Sequence, residues 1–84
     1  MNELETLKKK IIYRANYRGT KEMDILLSKF VDKYINSFSK QDLLDLFDFL
    51  NFEDEIIYNF YITKKLDNKI KKNKIFDIFA KFKI

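Results

Sequence analysis

The sequence contains no cysteine, no histidine, no proline and no tryptophan, and it has one glycine, Gly19. Without cysteine there is no disulfide staple, thiolate zinc site, iron–sulfur cluster or thiol nucleophile, and without histidine the usual general base and the commonest metal ligand are missing. A lone glycine excludes a P-loop or a G-x-G-x-x-G turn, which need several positions where backbone can approach phosphate closely. Tight hairpins depend on glycine and proline, so the same scarcity argues against a β-meander, sandwich or barrel. Long apolar runs are absent too, none approaching the ~20 residues of a membrane-spanning helix. The opening Met1-Asn2-Glu3-Leu4-Glu5 is acidic and has no signal-peptide core. This predicts a cytoplasmic protein of bacterial type, or a mitochondrial-matrix protein if a presequence has been removed.

What is present suits a small helical core. The 84 residues are 46% hydrophobic and 36% charged, enough apolar surface to fold and too little chain for more than one domain. Nine phenylalanines and five tyrosines supply large side chains that compensate for the short length. The net charge of +4 is unevenly laid out. Residues 1–38 carry eight Lys/Arg against five Asp/Glu, residues 39–60 one against six, and residues 61–84 eight against two. Opposite-sign segments of this kind attract weakly within one chain and need no partner.

The spacing of apolar residues is helical almost throughout, which predicts an all-α, compact single-domain bundle of about five short helices over residues 1–84, frayed at its C-terminal end. Leu4, Leu7, Ile11 and Ala15 define a first helix ending near Tyr17. Gly19 is expected in the left-handed conformation that closes it, with Thr20 capping the next helix and Glu22 in its first turn. Met23, Leu26, Leu27, Phe30, Val31, Tyr34 and Ile35 mark a second helix over about 21–36. Ser39 and Asp42 form a capping box opening a third, with Leu43, Leu44, Phe47 and Leu50 inside and Asn51 at its end. Glu53, Asp54 and Glu55 start a fourth helix, apolar nearly all round. Asp67 is expected to cap a fifth, lysine-rich outside, with Ile70, Ile75, Ile78, Phe79 and Phe82 inside.

The residues that a bundle alone does not require cluster at one place: Arg14, Tyr17, Arg18, Gly19 and Glu22. Two arginines one turn apart, a glycine corner and a carboxylate suit recognition of backbone and carboxylates on another protein. An Arg18–Glu22 pair that merely closes the turn explains the spacing equally well. Tyr17 suits either core or the rim of such a site, Arg14 either the rim or a solvated helix face, and Asp24 helix-end electrostatics.

Arg18-Gly19-Thr20-Lys21-Glu22 matches R-G-x-x-E, flanked by Ile11-Ile12-Tyr13-Arg14 and by Met23-Asp24-Ile25-Leu26-Leu27. With Phe30, the Ser39-Lys40-Gln41-Asp42 helix start, the stretch from Phe47 to Asn51, and Ile57-Tyr58-Asn59-Phe60, the chain resembles the FAD assembly factors of succinate dehydrogenase over about residues 7–62. It departs from that family at Thr20, where a hydrophobic residue is frequent, at Phe60, where tryptophan is usual, and in lacking a loop proline before the fourth helix. Phe60 keeps an aromatic anchor but loses the indole N–H.

The resemblance implies a non-enzymatic chaperone that binds the flavoprotein subunit of succinate dehydrogenase, and also that of fumarate reductase. It would promote covalent attachment of FAD to a client histidine, with the attachment itself autocatalytic in the client. In that role Arg18 donates to a client carboxylate or carbonyl, Gly19 permits close approach, Glu22 accepts from a client donor, and Arg14 and Tyr17 form the rim. FAD is then the client's cofactor, none is held stably by this chain, and no metal or catalytic residue is assigned. Neither nucleic acid nor membrane insertion is expected, and the protein is expected to be a monomer. The rival reading is a small basic nucleic-acid-binding protein tracking phosphates with Lys69, Lys71, Lys72 and Lys74, against which the acidic middle and the core spacing of the aromatics count. The last helix lying on anionic lipid is a weaker rival, since its apolar face is more simply used as core.

Overall fold

A computed structural model describes residues 2–84. Five helices follow one another: α1 Glu3–Asn16, α2 Lys21–Tyr34, α3 Lys40–Leu50, α4 Asp54–Thr63 and α5 Lys74–Lys81. No strand forms among the described residues, so the all-α bundle expected from periodicity is the fold observed. Helix α1 packs on α2 and α3, and α5 packs on α3 and α4. Caps are local in origin. Asn2 Oδ1 accepts from Glu5 N–H, Thr20 Oγ1 from Met23 N–H, and Ser39 and Asp42 form the expected reciprocal capping box.

The core is built largely from rings. Phe30, Phe49, Phe76 and Phe79 are fully buried with Ile11, Leu27, Leu43, Leu46, Leu50, Ile57 and Ile75. Phe76 meets Phe49, Phe52 and Phe60 edge-on at centroid distances of 4.9, 5.5 and 5.1 Å. That geometry sets the positive edge of one ring against the negative face of another. Phe60 thus does its work by ring packing, which needs no indole N–H.

Three expectations are corrected. On α3 the buried stripe is Leu43, Leu46, Phe49 and Leu50, while Phe47 is half-buried and Leu44 is 40% exposed. Apolar pairs at 43/44, 46/47 and 49/50 allow two registers, and α5 selects the one that turns Phe49 toward Phe76 and Phe79. Helix α4 is not enclosed all round, since only Ile57 and Phe60 are buried and Tyr58 and Ile62 are exposed.

The last helix is shorter than expected and begins at Lys74, capped by Asn73 rather than Asp67. Asn73 Oδ1 accepts from Ile75 N–H at 2.9 Å, and its Nδ2 donates to the Asp45 carbonyl at 3.1 Å, tying the start of α5 to α3. Asp67 instead accepts from Lys69 N–H in a local turn. Ile70 and Ile75 are five residues apart, a spacing that no single helix face accommodates. Lys69, Lys71 and Lys72 therefore lie on the segment 64–73 that links α4 to α5 and not on a helix. Among the described residues no helix is long and apolar enough to cross a membrane.

Candidate functional site

The corner between α1 and α2 is shaped by carboxylates reaching in from two other places. Tyr17 leaves helical geometry at φ −122°, ψ 66°, and Thr20 is extended at φ −129°, ψ 157°. Between them the Arg18 amide donates to Asp24 Oδ1 at 2.6 Å and the Gly19 amide to Asp54 Oδ2 at 2.7 Å. Asp24 is thus more than a charge at a helix end, because it fixes the backbone of the motif. Asp54 is the first residue of α4, and its carboxylate spans the gap between two helix ends.

Gly19 is not in the left-handed region, which corrects the expected reason for a glycine here. A Cβ built at this position would stand 3.1 Å from Asp54 Oδ2. The glycine is favoured by the close approach of that carboxylate to its own amide, and two side-chain acceptors end the helix where a left-handed residue was expected to.

Arg18 likewise departs from both readings of its spacing. Its Nε donates to Asp54 Oδ1 at 2.6 Å, Nη1 to the carbonyls of Leu50 (2.8 Å) and Arg14 (3.2 Å), and Nη2 to the carbonyl of Phe52 (2.9 Å). The side chain is 8% exposed and its Asp54 partner 24%. Carbonyls at the ends of α1 and α3 carry partial negative charge with no intrahelical donor, and a planar guanidinium fork satisfies several at once. Asp54 neutralises the remaining charge. Arg18 therefore directs donors from all three of its nitrogens to acceptors inside the chain rather than to Glu22, and so ties three helix ends together.

The remaining expected site residues surround this lock on the outside. Glu22 is exposed in the first turn of α2 and lines a groove with Thr20, Met23, Asp54, Glu55 and Tyr58. Arg14 is exposed and lies over the Phe47 ring, 5.5 Å from its centroid. Tyr17 is 72% exposed and so is not a core residue, and its ring lies 4.5 Å from that of Tyr13, itself 64% exposed. Asp54 and Tyr58 were not recognised as site residues from sequence. Asp54 is 36 positions from Arg18, and the only hint was the acidic run Glu53-Asp54-Glu55 with no side-chain cap bond at Glu53.

Such an arrangement can bind but has little with which to transform. It offers an exposed carboxylate, a guanidinium on an aromatic ring and paired phenols, all carried by helix ends that cannot shift independently. Among the described residues no three His, Cys, Asp or Glu side chains cluster so as to hold a metal ion. Fold and corner together define a small all-α domain with one exposed edge of mixed charge.

The chain belongs to the family described as the flavinator of succinate dehydrogenase, whose model matches residues 9–83 and so extends through α5. It is 36% identical over 64 residues to succinate dehydrogenase assembly factor 2, mitochondrial, of Scheffersomyces stipitis, covering 76% of this chain and 42% of that protein. The protein of the same name from Komagataella phaffii is 35% identical over 80 residues, covering 88% of this chain and 42% of the relative. Succinate dehydrogenase assembly factor 2-A, mitochondrial, of Drosophila ananassae is 42% identical over 48 residues, covering 57% and 31%. In each case the match spans less than half of the relative's length. No solved structure matches.

Proposed function

We propose that this chain is an assembly factor that binds the flavoprotein subunit of succinate dehydrogenase and promotes covalent attachment of FAD to that subunit, with the α1–α2 corner as its docking edge. One observation carries the reading. The motif is locked from within by Arg18 and Asp54, while Glu22, Arg14 and Tyr17 stay exposed on its outer side. Exposed polar and aromatic groups on a rigid support suit protein recognition. Family membership supplies the class of client.

The mechanism is positional. A factor that binds one client conformation more tightly raises that conformation's population by its differential affinity, about tenfold for each 1.4 kcal/mol. Holding FAD and its acceptor side chain in attack geometry accelerates bond formation without a catalytic group from the factor. Glu22 accepts from a client donor, Arg14 and Tyr17 supply the rim, and Gly19 keeps the corner narrow. Arg18 acts by positioning. FAD stays with the client in this reading, because the one glycine has its amide committed to Asp54. The chain works as a monomer, serves the fumarate reductase subunit as well, and resides where its client matures, in the bacterial cytoplasm or the mitochondrial matrix.

Co-expression of the flavoprotein subunit with wild-type, Gly19→Arg or Glu22→Ala protein, read by in-gel fluorescence of covalent flavin, tests this. Flavin bound with wild type and lost with variants that keep their helical circular dichroism is the expected result. Flavinylation indifferent to wild type, or fully supported by folded Gly19→Arg, would refute it. The nucleic-acid reading is weaker, since Lys72 and Lys74 pair with Asp77 and Asp42 and the aromatics of α5 are buried.

A further inference from the structure

Helix α1 carries a stripe that extends beyond the corner's rim residues Arg14 and Tyr17 to Lys9, Lys10 and Tyr13. Lys9, Lys10, Tyr13 and Arg14 lie along one side of the helix, and Tyr17, which caps its end, continues the line by packing its ring on that of Tyr13. The side of α1 that meets α2 and α3 is a different one, marked by buried Ile11 and Ala15. Lys9, Lys10, Tyr13, Arg14 and Phe47 line a groove in which, among the described residues, Lys10 and Arg14 supply positive charge and no carboxylate takes part in the lining. Its floor is the half-buried Phe47 ring, under the Arg14 guanidinium at 5.5 Å.

Two features set this groove apart from an ordinary solvated helix face. Tyr13 and Tyr17 expose most of their surface while their rings pack against each other at 4.5 Å, giving a pre-ordered apolar platform with two phenolic hydroxyls. Arg14 is held on Phe47, so its charge is presented with little loss of side-chain freedom on binding. Tyrosine and arginine are also the residue types that dominate binding hot spots. The stripe runs directly into the Arg18–Gly19 corner at Tyr17.

We infer that the Lys10–Tyr13–Arg14–Tyr17 stripe, with Phe47 beneath it, is a second docking element that receives an acidic segment of the flavoprotein subunit bearing an aliphatic or aromatic side chain. The inference rests on the proposed function for the identity of the partner, and on the sign and composition of the groove for the chemistry of the segment. Carboxylates of the segment pair with Lys10 and Arg14 and accept from the tyrosine hydroxyls, while its apolar side chain lies on the Tyr13–Tyr17 platform. The corner and the stripe then grip the client along one continuous edge, one reading a donor through Glu22 and the other reading acids.

The test is the equilibrium affinity of the isolated flavoprotein subunit for wild type, for Lys10→Glu/Arg14→Glu, and for Tyr13→Ser/Tyr17→Ser, measured at low and at physiological ionic strength. Each variant's fold is checked by circular dichroism. The expected result is roughly tenfold or greater weakening for the charge reversal, with wild-type affinity falling as salt rises and that of the reversed variant rising as salt screens the new repulsion. The tyrosine variant is expected to weaken at both ionic strengths, since its contribution is apolar contact. Folded variants that bind like wild type, while Glu22→Ala loses binding, would overturn the stripe and with it the rim roles of Arg14 and Tyr17, and leave the assembly-factor reading and its Glu22 contact standing. No measurable binding of wild type would overturn both.

Discussion

Replacing Asp54 by alanine should destabilise this protein more than any other single substitution of an acidic residue. The carboxylate accepts from Arg18 Nε at 2.6 Å and from Gly19 N–H at 2.7 Å, and its loss leaves an 8%-exposed guanidinium without a counter-ion. Breaking a fully buried pair by removing one partner costs about 3–5 kcal/mol. Asp54 is 24% exposed, so water replaces part of what is lost, and the Leu50, Arg14 and Phe52 carbonyls still hold the Nη groups. The expected cost is therefore about 2–3 kcal/mol, nearer the value of one hydrogen bond to a charged group. Against a total stability of roughly 4–13 kcal/mol for a domain of this size, that is a large share. It should lower the thermal midpoint by roughly 10–20 °C. Urea denaturation at constant slope gives the free energy, with Glu55→Ala as the control, because Glu55 shares the first turn of α4 and its dipole interaction but makes no bond to the corner. A double cycle with Arg18→Met should return a coupling of at least about 1 kcal/mol. Asp54→Ala and Glu55→Ala agreeing within about 0.5 kcal/mol would refute the account of the corner.

Other outcomes follow from the same geometry. Gly19→Ala should cost about 1 kcal/mol or less, because the new Cβ meets Asp54 Oδ2 at 3.1 Å without any backbone penalty. In an Asp54→Ala background the same change should become neutral or slightly stabilising, by up to about 1 kcal/mol, through reduced entropy of the unfolded chain; a cost that persisted there would show the contact to be irrelevant. Phe76→Ala removes the ring shared by Phe49, Phe52 and Phe60 and should cost about 3–5 kcal/mol, visible as loss of a cooperative thermal transition. The Asp42 carboxyl is held below its ordinary value of 3.8, chiefly by the hydrogen bond from Lys74 and further by those from Ser39. A depressed carboxylate stabilises the fold fully above its unfolded-state value and loses that contribution as pH falls through the lower folded-state value. Wild type should therefore exceed Asp42→Asn in stability by a constant amount at and above about pH 5, with the gap closing on further acidification; a gap independent of pH would refute the assignment.

The helices were legible in the sequence because their information is local. Periodicity and capping residues within a few positions placed α1 to α4 closely, and the Ser39–Asp42 box was read from two residues. Errors arose wherever a distant element decided between local options. Which of two apolar stripes on α3 turns inward depends on Phe76 and Phe79, and the start of α5 depends on Asn73 finding the Asp45 carbonyl. The corner was legible in position but not in wiring. Arg14, Tyr17, Arg18, Gly19 and Glu22 do share one corner, yet the partner that explains Arg18 and Gly19 lies 36 and 35 positions away and leaves no spacing signal.

That wiring makes the R-G-x-x-E corner a product of finished folding rather than a linear epitope. A peptide spanning residues 14–27 would carry the motif but neither Asp54 nor the Leu50 and Phe52 carbonyls, and closing a loop of this length on contacts that form only once α3 and α4 are docked leaves nothing to hold it in shape beforehand. Only a chain that has completed its own bundle can present this edge.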